Sequence, residues 1–262
     1  MLRKTKSENT PLSERVLVIL EYVVNNRMPV RATKVSEDLE IPLASVVRYL
    51  QTLINQGYVF RDDSQGEYGA TWRVCKLGDM IKSGFTLRSY SSSILIELSN
   101  SLKVASCLVV EQDGRLMYLD FVDNPNDGIH SLKRIGKDAP IYCTGSGKVL
   151  LSSFSKKKRM SIINQLDLVP IAKKTITDKE ALLKELEWVK EHQYAIDDEE
   201  CEEGYKCISV PLYDYTNQII AAISVIDKTE NLSEKRIEDE ILPRTKEVSE
   251  LISYRLGYQK EA

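Results

Sequence analysis

Gly145-Ser146-Gly147-Lys148 is the first place in this chain where residue types and spacing could do chemistry. A nucleotide phosphate loop needs a glycine five residues before the Gly-Lys pair and a Ser or Thr after the lysine. Tyr142 and Val149 stand at those positions, so the tetrapeptide is not read as one. Two readings remain open. Glycines ahead of Val149-Leu150-Leu151 leave backbone N–H groups at a helix N-terminus, which suits a small carboxylate. Alternatively, they let a helix start where another stretch of backbone passes close by.

The acidic run Asp197-Asp198-Glu199-Glu200, with Glu202 and Glu203, could ligate a metal or supply acid–base groups, although the ordinary reading of such a run is a solvated loop. Cys201 and Cys207 are six apart and near His192, which matches no standard zinc spacing. For nucleophilic catalysis the chain offers only His130 and His192, and no Gly-x-Ser-x-Gly elbow presents a serine. No cofactor or metal is expected and an enzyme is disfavoured. The alternative from another class is an enzyme or metal-binding sensor that uses Cys201, Cys207 and the acidic run.

A different chemistry, recognition of DNA, is suggested nearer the N-terminus, and it depends on the elements that present it. In a first helix from Ser13 to about Asn25, Val16, Leu17, Leu20, Val23 and Val24 fall at helical spacing, with Ser13 as cap. A two-turn helix from Ala32 to Leu39 carries the stripe Ala32, Val35 and Leu39. Glu40-Ile41-Pro42 breaks it, because the residue before a proline is pushed out of the helical region. From Leu43 to Gln56 the core positions are Val46, Leu50, Leu53 and Ile54, which leaves Ser45, Val47, Arg48 and Gln51 on the outer face for reading base edges. Gly57 ends that helix, and Tyr58 to Phe60 turns through Asp62 to Gly66 into Tyr68 to Trp72 as a hairpin. The whole reads as a winged helix-turn-helix over 13–74. Residues 1–72 hold nine Lys or Arg against nine Asp or Glu, so phosphate affinity must come from placement. Arg31, Lys34, Arg48 and Arg61 surround the reading head, and Arg3, Lys4 and Lys6 sit on a flexible arm over 1–12.

At 262 residues the chain requires a second domain, and 42% apolar residues suffice to give it a core. A net charge of −3 argues against a polybasic membrane or nonspecific nucleic-acid binder, and no apolar run approaches a membrane span. No secretion signal is visible, which points to the cytoplasm, and five unpaired-looking cysteines suit reduced thiols.

After a linker helix over 75–90, the segment 91–262 is expected to form the second domain. Leu77 to Leu102 is helical in pattern, interrupted at Gly78, Gly84 and Ser89 to Ser93, and ends in a docking helix on Ile94, Leu95, Leu98 and Leu102. Asp113-Gly114 between Ala105–Glu111 and Leu116–Val122 is the strongest hairpin signal, and a second hairpin joins Cys207–Tyr213 to Ile219–Ile226. Helices are expected over Gly145–Phe154, Lys156–Gln165, Ser233–Leu256, and Thr177–His192, the last opened by a capping box at Thr177. Hairpins with helices between them make the fold α+β with an antiparallel sheet.

These residues together carry a likeness. Ile41-Pro42, Ser45 to Leu50, Gly57-Tyr58-Val59, Thr144 to Lys148, Tyr194 to Glu200, Gly204, Cys207 to Pro211 and Ala221 to Ser224 occur in an order that resembles the IclR family of bacterial transcriptional regulators. The resemblance covers nearly the whole chain. It implies a winged helix-turn-helix, a linker helix and a GAF/PAS-like effector domain. It also implies an effector-controlled binder of double-stranded operator DNA that dimerises and often forms tetramers. A small organic acid would lie between the loop Ala139 to Ser146 and the strands of Cys207 and Ser224, with Asp197 at the rim. Gly145 and Ser146 would donate backbone N–H groups, Ser224 a hydroxyl and Cys207 a weak thiol contact. Ile226 stands where some members have a second pocket serine, which makes the site less polar there. Leu43 and Ala44 replace the polar residues usual ahead of Ser45.

Overall fold

Glu40 turns the chain with φ of 56°, its N–H closing on the Ser36 carbonyl, while the Ser36 hydroxyl donates to the Ile41 carbonyl at 2.7 Å. This left-handed cap followed by Pro42 separates α2 (Ala32–Leu39) from α3 (Leu43–Asn55), the pair packed behind α1 (Leu12–Asn25). The computed structural model describes residues 12–26, 28–77, 87–124, 126 and 138–259. The expected arm residues Arg3, Lys4 and Lys6, and also His130, lie outside the described residues. Of the linker helix expected over 75–90, 75–77 and 87–90 are helical and 78–86 lies outside them. The chain divides into two compact units, Met1–Phe85 and Thr86–Ala262.

In the first unit a three-stranded antiparallel sheet, ordered β1 (Val30–Arg31), β3 (Glu67–Ala70) and β2 (Val59–Asp62), forms the wing. Asp62 holds its tip by accepting from the Ser64 N–H and hydroxyl. Phe60 lies across Gly69, where a Cβ would come within 2.5 Å of the ring. The wing strand ends at Ala70, so Trp72 lies beyond it.

The core of this unit corrects two expected stripes. On α1 the buried residues are Val18, Ile19, Tyr22 and Val23, while Leu17 and Val24 are 59% and 41% exposed. On α3 Tyr49 takes a core place beside Val46, Leu50 and Leu53, and Ile54 is only half-buried. A run of apolar residues such as Val-Leu-Val-Ile-Leu fits more than one helical face, and tertiary packing selects among them.

The second unit is built on one antiparallel sheet ordered β6-β5-β4-β9-β8-β7. Its strands are β4 (Ala105–Gln112), β5 (Arg115–Val122), β6 (Asp138–Ala139), β7 (Ala195–Asp198), β8 (Tyr205–Tyr213) and β9 (Ile219–Lys228). Asp113 and Gly114 both have positive φ, as the tight β4–β5 turn demands. Alternation splits the sheet into two faces. Cys107, Val109, Cys207, Ala222 and Ile226 pack with α5 (Gly145–Ser153), α6 (Lys156–Gln165) and α7 (Lys179–His192). Leu108, Ile208, Val210, Ile223 and Val225 pack with α4 (Leu87–Leu102) and α8 (Leu242–Arg255). Each fully buried aliphatic side chain here contributes roughly 1.5–3 kcal/mol of transfer free energy.

Four expectations change. The Ser89 to Ser93 run does not interrupt α4, because the buried Ser91 hydroxyl folds back onto the Leu87 and Arg88 carbonyls and leaves the helix continuous. Asp178, not Thr177, caps α7 by accepting from the Ala181 N–H at 2.8 Å. The C-terminal helix is entered through Glu234–Arg236, capped by Ser233, and a π-helical stretch Ile237–Ile241. Finally, β7 takes up Asp197 and Asp198, so the acidic run is in part a strand.

Candidate functional site

In the first unit α3 presents Ser45, Val47, Arg48 and Gln51 on its outer side, with Ser45 half-buried and the others exposed. Gln51 is pre-aligned by a 2.9 Å bond to Asn55, and the Arg48 guanidinium lies 5.2 Å from the Tyr49 ring centre. Each basic residue around this helix has a partner in the unit. Arg31 meets Glu67 at 3.5 Å, Lys34 meets Asp38 at 2.7 Å and Arg61 meets Asp63 at 3.7 Å. Asp38 also accepts from the Tyr22 hydroxyl, and burial together with that bond pushes the Tyr22 pKa up to about 12. These basic residues are therefore held in local, solvent-accessible pairs, which a phosphate can replace at little cost.

In the second unit the site begins at the α5 N-terminus. Thr144 caps it, its hydroxyl oxygen accepting from the Gly147 N–H at 3.2 Å while the hydroxyl donates to the Pro140 carbonyl. The N–H groups of Gly145 and Ser146 belong to the same unsatisfied first turn. Both glycines are also steric necessities. A Cβ on Gly147 would fall 1.9 Å from the Ile141 carbonyl oxygen, and one on Gly145 2.5 Å from the Ser209 hydroxyl. Close backbone approach, the second of the two readings, is thus present, and the helix start itself is buried.

Strand register brings the remaining groups beneath this helix. Cys107 pairs with Ser224 and Ser224 with Ser209 in one row; Ile226, Cys207 and Asp197 form the next. Ser146 and Ser209 each lie 2.6 Å from the Ser224 hydroxyl, and the Cys207 thiol is 3.4 Å from Ser209. Asp197 is 6% exposed and accepts from the Glu200 and Cys201 N–H groups at 2.8 and 3.3 Å; burial raises its pKa to about 7. Burial likewise pushes the Cys207 thiol up to about 12, and a bond to Cys201 together with burial raises Cys143, so these thiols are held neutral. The resulting cavity is small, about 30 Å³, and is lined by Tyr118, Ser146, Asp197, Cys201, Cys207 and Ile226 among others. Ser146, Asp197 and Cys207 reach it directly. Ser224 and Gly145 lie one layer beneath, and Ala139 sits in β6 opposite Leu116. Ile226 supplies the expected apolar wall.

The acidic run is a solvated loop only in its second part, where Glu202 and Glu203 are exposed. Asp197 and Glu200 are buried, and Glu200 accepts from Lys148 at 2.6 Å. Lys148, fully buried, also donates to Glu185 at 3.0 Å and to the Ile196 carbonyl. Burial opposes its charge, but the facing Glu200 and Glu185 carboxylates prevail and its pKa is raised. Lys148 and Ser209 escaped the sequence reading. Ser209 had a signal, since it lies two residues from Cys207 on the same strand face; Lys148 had only its isolation as the one charge in α5. Among the described residues no three His, Cys, Asp or Glu side chains are grouped to hold a metal ion. His192 stacks on Trp188 at 4.1 Å, remote in role from this cleft.

A winged helix joined in one chain to a sheet domain with an enclosed polar cleft defines a ligand-responsive DNA-binding regulator. Comparison with known proteins makes the class specific. Residues 14–63 match the IclR helix-turn-helix domain and residues 81–254 the bacterial transcriptional regulator IclR C-terminal domain. The Escherichia coli K12 HTH-type transcriptional regulator KdgR is 30% identical over 244 residues, spanning 93% of this chain and 92% of that protein. The crystal structure of Thermotoga maritima IclR aligns with a TM-score of 0.63 at 26% identity, covering 94% of this chain and 98% of that one. The Agobacterium tumefaciens repressor BlcR shares the fold, with a TM-score of 0.72 at 21% identity over 97% of this chain and all of its own (100%). The chain belongs to the IclR family: it is a DNA-binding transcriptional regulator with a C-terminal effector-binding domain, and not an enzyme.

Proposed function

We propose that this regulator reads operator DNA as a homodimer in the cytoplasm, and that a small organic acid in the cleft shifts its population between DNA-competent and incompetent states. The observation that carries the effector half is the cluster of Ser146, Ser209 and Ser224 hydroxyls beneath the α5 N-terminus, beside the buried Asp197. A ligand carboxylate would take the Gly145 and Ser146 N–H groups and replace Ser224 as the partner of the Ser146 hydroxyl. Asp197 would accept from a ligand hydroxyl, and Cys207 and the Ala139 loop would bound the site. On the DNA side Arg31, Lys34 and Arg61 contact phosphates, while Ser45, Val47, Arg48 and Gln51 face base edges.

Dimerisation is supported by Leu17 and Val24, seven residues apart on one face of α1 and left in solvent within the single chain. A second copy of α1 covers that stripe, and a further pairing gives the tetramer. Residues 1–12 serve as a basic arm, 13–74 as the reading head, 75–90 as the linker helix and 91–262 as the effector and assembly domain.

The test is a thermal-shift series with pyruvate, 4-hydroxybenzoate and their close analogues on the full chain. A ligand at 100 times its Kd stabilises by about 2.7 kcal/mol. The expected outcome is stabilisation by at least one acid that is lost in the Ser224→Ala, Asp197→Ala double variant. Stabilisation that persists in that variant places the ligand elsewhere. For the oligomer, sedimentation of Leu17→Glu, Val24→Glu should give a smaller species than the parent chain.

A further inference from the structure

Tyr118 lines the cleft, and just beyond it β5 changes which side of the sheet its side chains serve. Pairing with β4 runs Cys107 with Phe121 and Leu108 with Asp120, then passes to Val109 with Tyr118, leaving Leu119 as the extra residue of a β-bulge. In regular, unbulged pairing Tyr118 and Asp120 would share a face. With it, Tyr118 and Phe121 join the cleft-side core, and Asp120 stands opposite Leu108 on the side packed by α4. There Asp120 is 4% exposed; its Oδ1 accepts from the Phe121 N–H at 3.1 Å and meets Arg88 Nη2 at 3.5 Å. Its Oδ2 is buried without a hydrogen bond. Arg88 is the second residue of α4, the first described helix of the effector unit.

A carboxylate oxygen buried and unmet costs free energy, and a guanidinium fork is the group that satisfies both oxygens at once. The pair therefore has a second arrangement, bidentate and better satisfied, about 1 Å from the present long single contact. We infer that Asp120 and Arg88 are the positioning pair through which the cleft biases the start of α4, one contact in one state and two in the other. The inference rests on the reading of the cleft as the effector site. The bulge supplies the mechanical step, since a change at Tyr118 rotates the residue that follows Leu119, and the ion pair supplies two discrete states instead of a continuous strain.

Amide hydrogen exchange of the full chain, without ligand, tests this through a double-variant cycle. Tyr118→Ala should speed exchange in residues 87–95 about fivefold in the parent background and less than about twofold in Asp120→Asn. Equal acceleration in both backgrounds, or none in α4, overturns the inference. Should Asp120→Asn fail to fold, Arg88→Ala closes the same cycle, because its side chain stands mostly in solvent. Arg88→Lys should behave as Arg88→Ala, since a lysine cannot serve two oxygens in a fork; full coupling with lysine would remove the bidentate state. Failure of the effector reading shows separately, in an acid-induced thermal shift that ignores Ser224 and Asp197.

Discussion

Lys34 and Lys148 both lie on helices and both meet carboxylates, yet the Lys34 side chain is 60% exposed and that of Lys148 is 1% exposed. Around α3 the pairs Arg31–Glu67, Lys34–Asp38 and Arg61–Asp63 sit in water, where salt and solvent leave them weak and exchangeable. Around the cleft, Lys148 and Glu200 are closed in, with Glu185 half-buried beside them, and they hold the end of β7 that carries Asp197. The difference teaches what each unit needs from charge. A reading head must surrender its internal partners to phosphate, whereas a binding cleft must keep its walls in place before any ligand arrives.

The largest expected effect breaks the buried side of this comparison. Lys148→Met leaves Glu200 buried without its cation, and loss of one partner from such a pair costs about 3–5 kcal/mol. For a domain of this size that lowers Tm by about 6–20 °C. Calorimetry of the effector-unit transition checks it, and Lys148→Met with Glu200→Leu should recover most of the loss. A single variant as stable as the parent would place Lys148 with the surface pairs.

Next is the pH dependence set by Asp197. Its folded pKa, raised by burial to about 7, exceeds the ordinary carboxyl value of 3.8, so the folded state binds this proton more tightly. The contribution is fully present below about pH 4 and lost as pH rises through about 7, a swing on the order of 3–4 kcal/mol. Asp197→Asn keeps the shape without the titration. Denaturant unfolding from pH 4 to 8 should therefore show the variant gaining on the parent as pH rises, with the curves closest at pH 4. Parallel curves would mean that the Glu200 and Cys201 N–H groups hold Asp197 ionised throughout.

Much of this architecture was legible from residue types. Asp113-Gly114 names its turn, Pro42 ends one helix and starts the next, and Gly57 with positive φ stops α3. The elements that escaped were those decided by tertiary contact. Nothing local marks Ala195–Asp198 as a strand, because two consecutive aspartates are poor strand formers and only pairing with β8 makes them one. The same pairing buries Asp197 in a run whose charge density suggests solvent. On α1 an almost continuous apolar run left the buried face undetermined, and the packing of α3 chose Ile19 and Tyr22 over Leu17 and Val24. In the cleft, Ser146, Cys207, Ser224 and Asp197 were reachable through the resemblance to the IclR family and not from local pattern alone. Lys148 was not, because its partners lie 37 and 52 residues away.

On the exposed side the larger effect belongs to Arg48, whose guanidinium lies over the Tyr49 ring and 3.4 Å from its hydroxyl. Arg48→Ala should weaken binding to the DNA upstream of its own gene by about 1–3 kcal/mol and relax preference at one base position, if the side chain reads a base edge. A fluorescence-anisotropy titration against single-base variants of that fragment checks it. A uniform loss over all variants would move Arg48 to the phosphate contacts.

The smallest effect is expected at Lys34, and it sharpens the comparison most directly. Removing it leaves Asp38 exposed to water and still bonded by Tyr22 at 2.6 Å, so no buried charge is stranded and thermal unfolding should not change measurably. DNA affinity should fall to a similar extent on every sequence, and the slope of log K against log salt should shrink by about one phosphate contact. The two readouts must separate: an ion pair that can be exchanged for phosphate contributes to binding and not to folding. A Lys34→Ala protein with an unchanged salt slope and a lowered Tm would show that its pair with Asp38 is structural, and the contrast with Lys148 would then be one of degree.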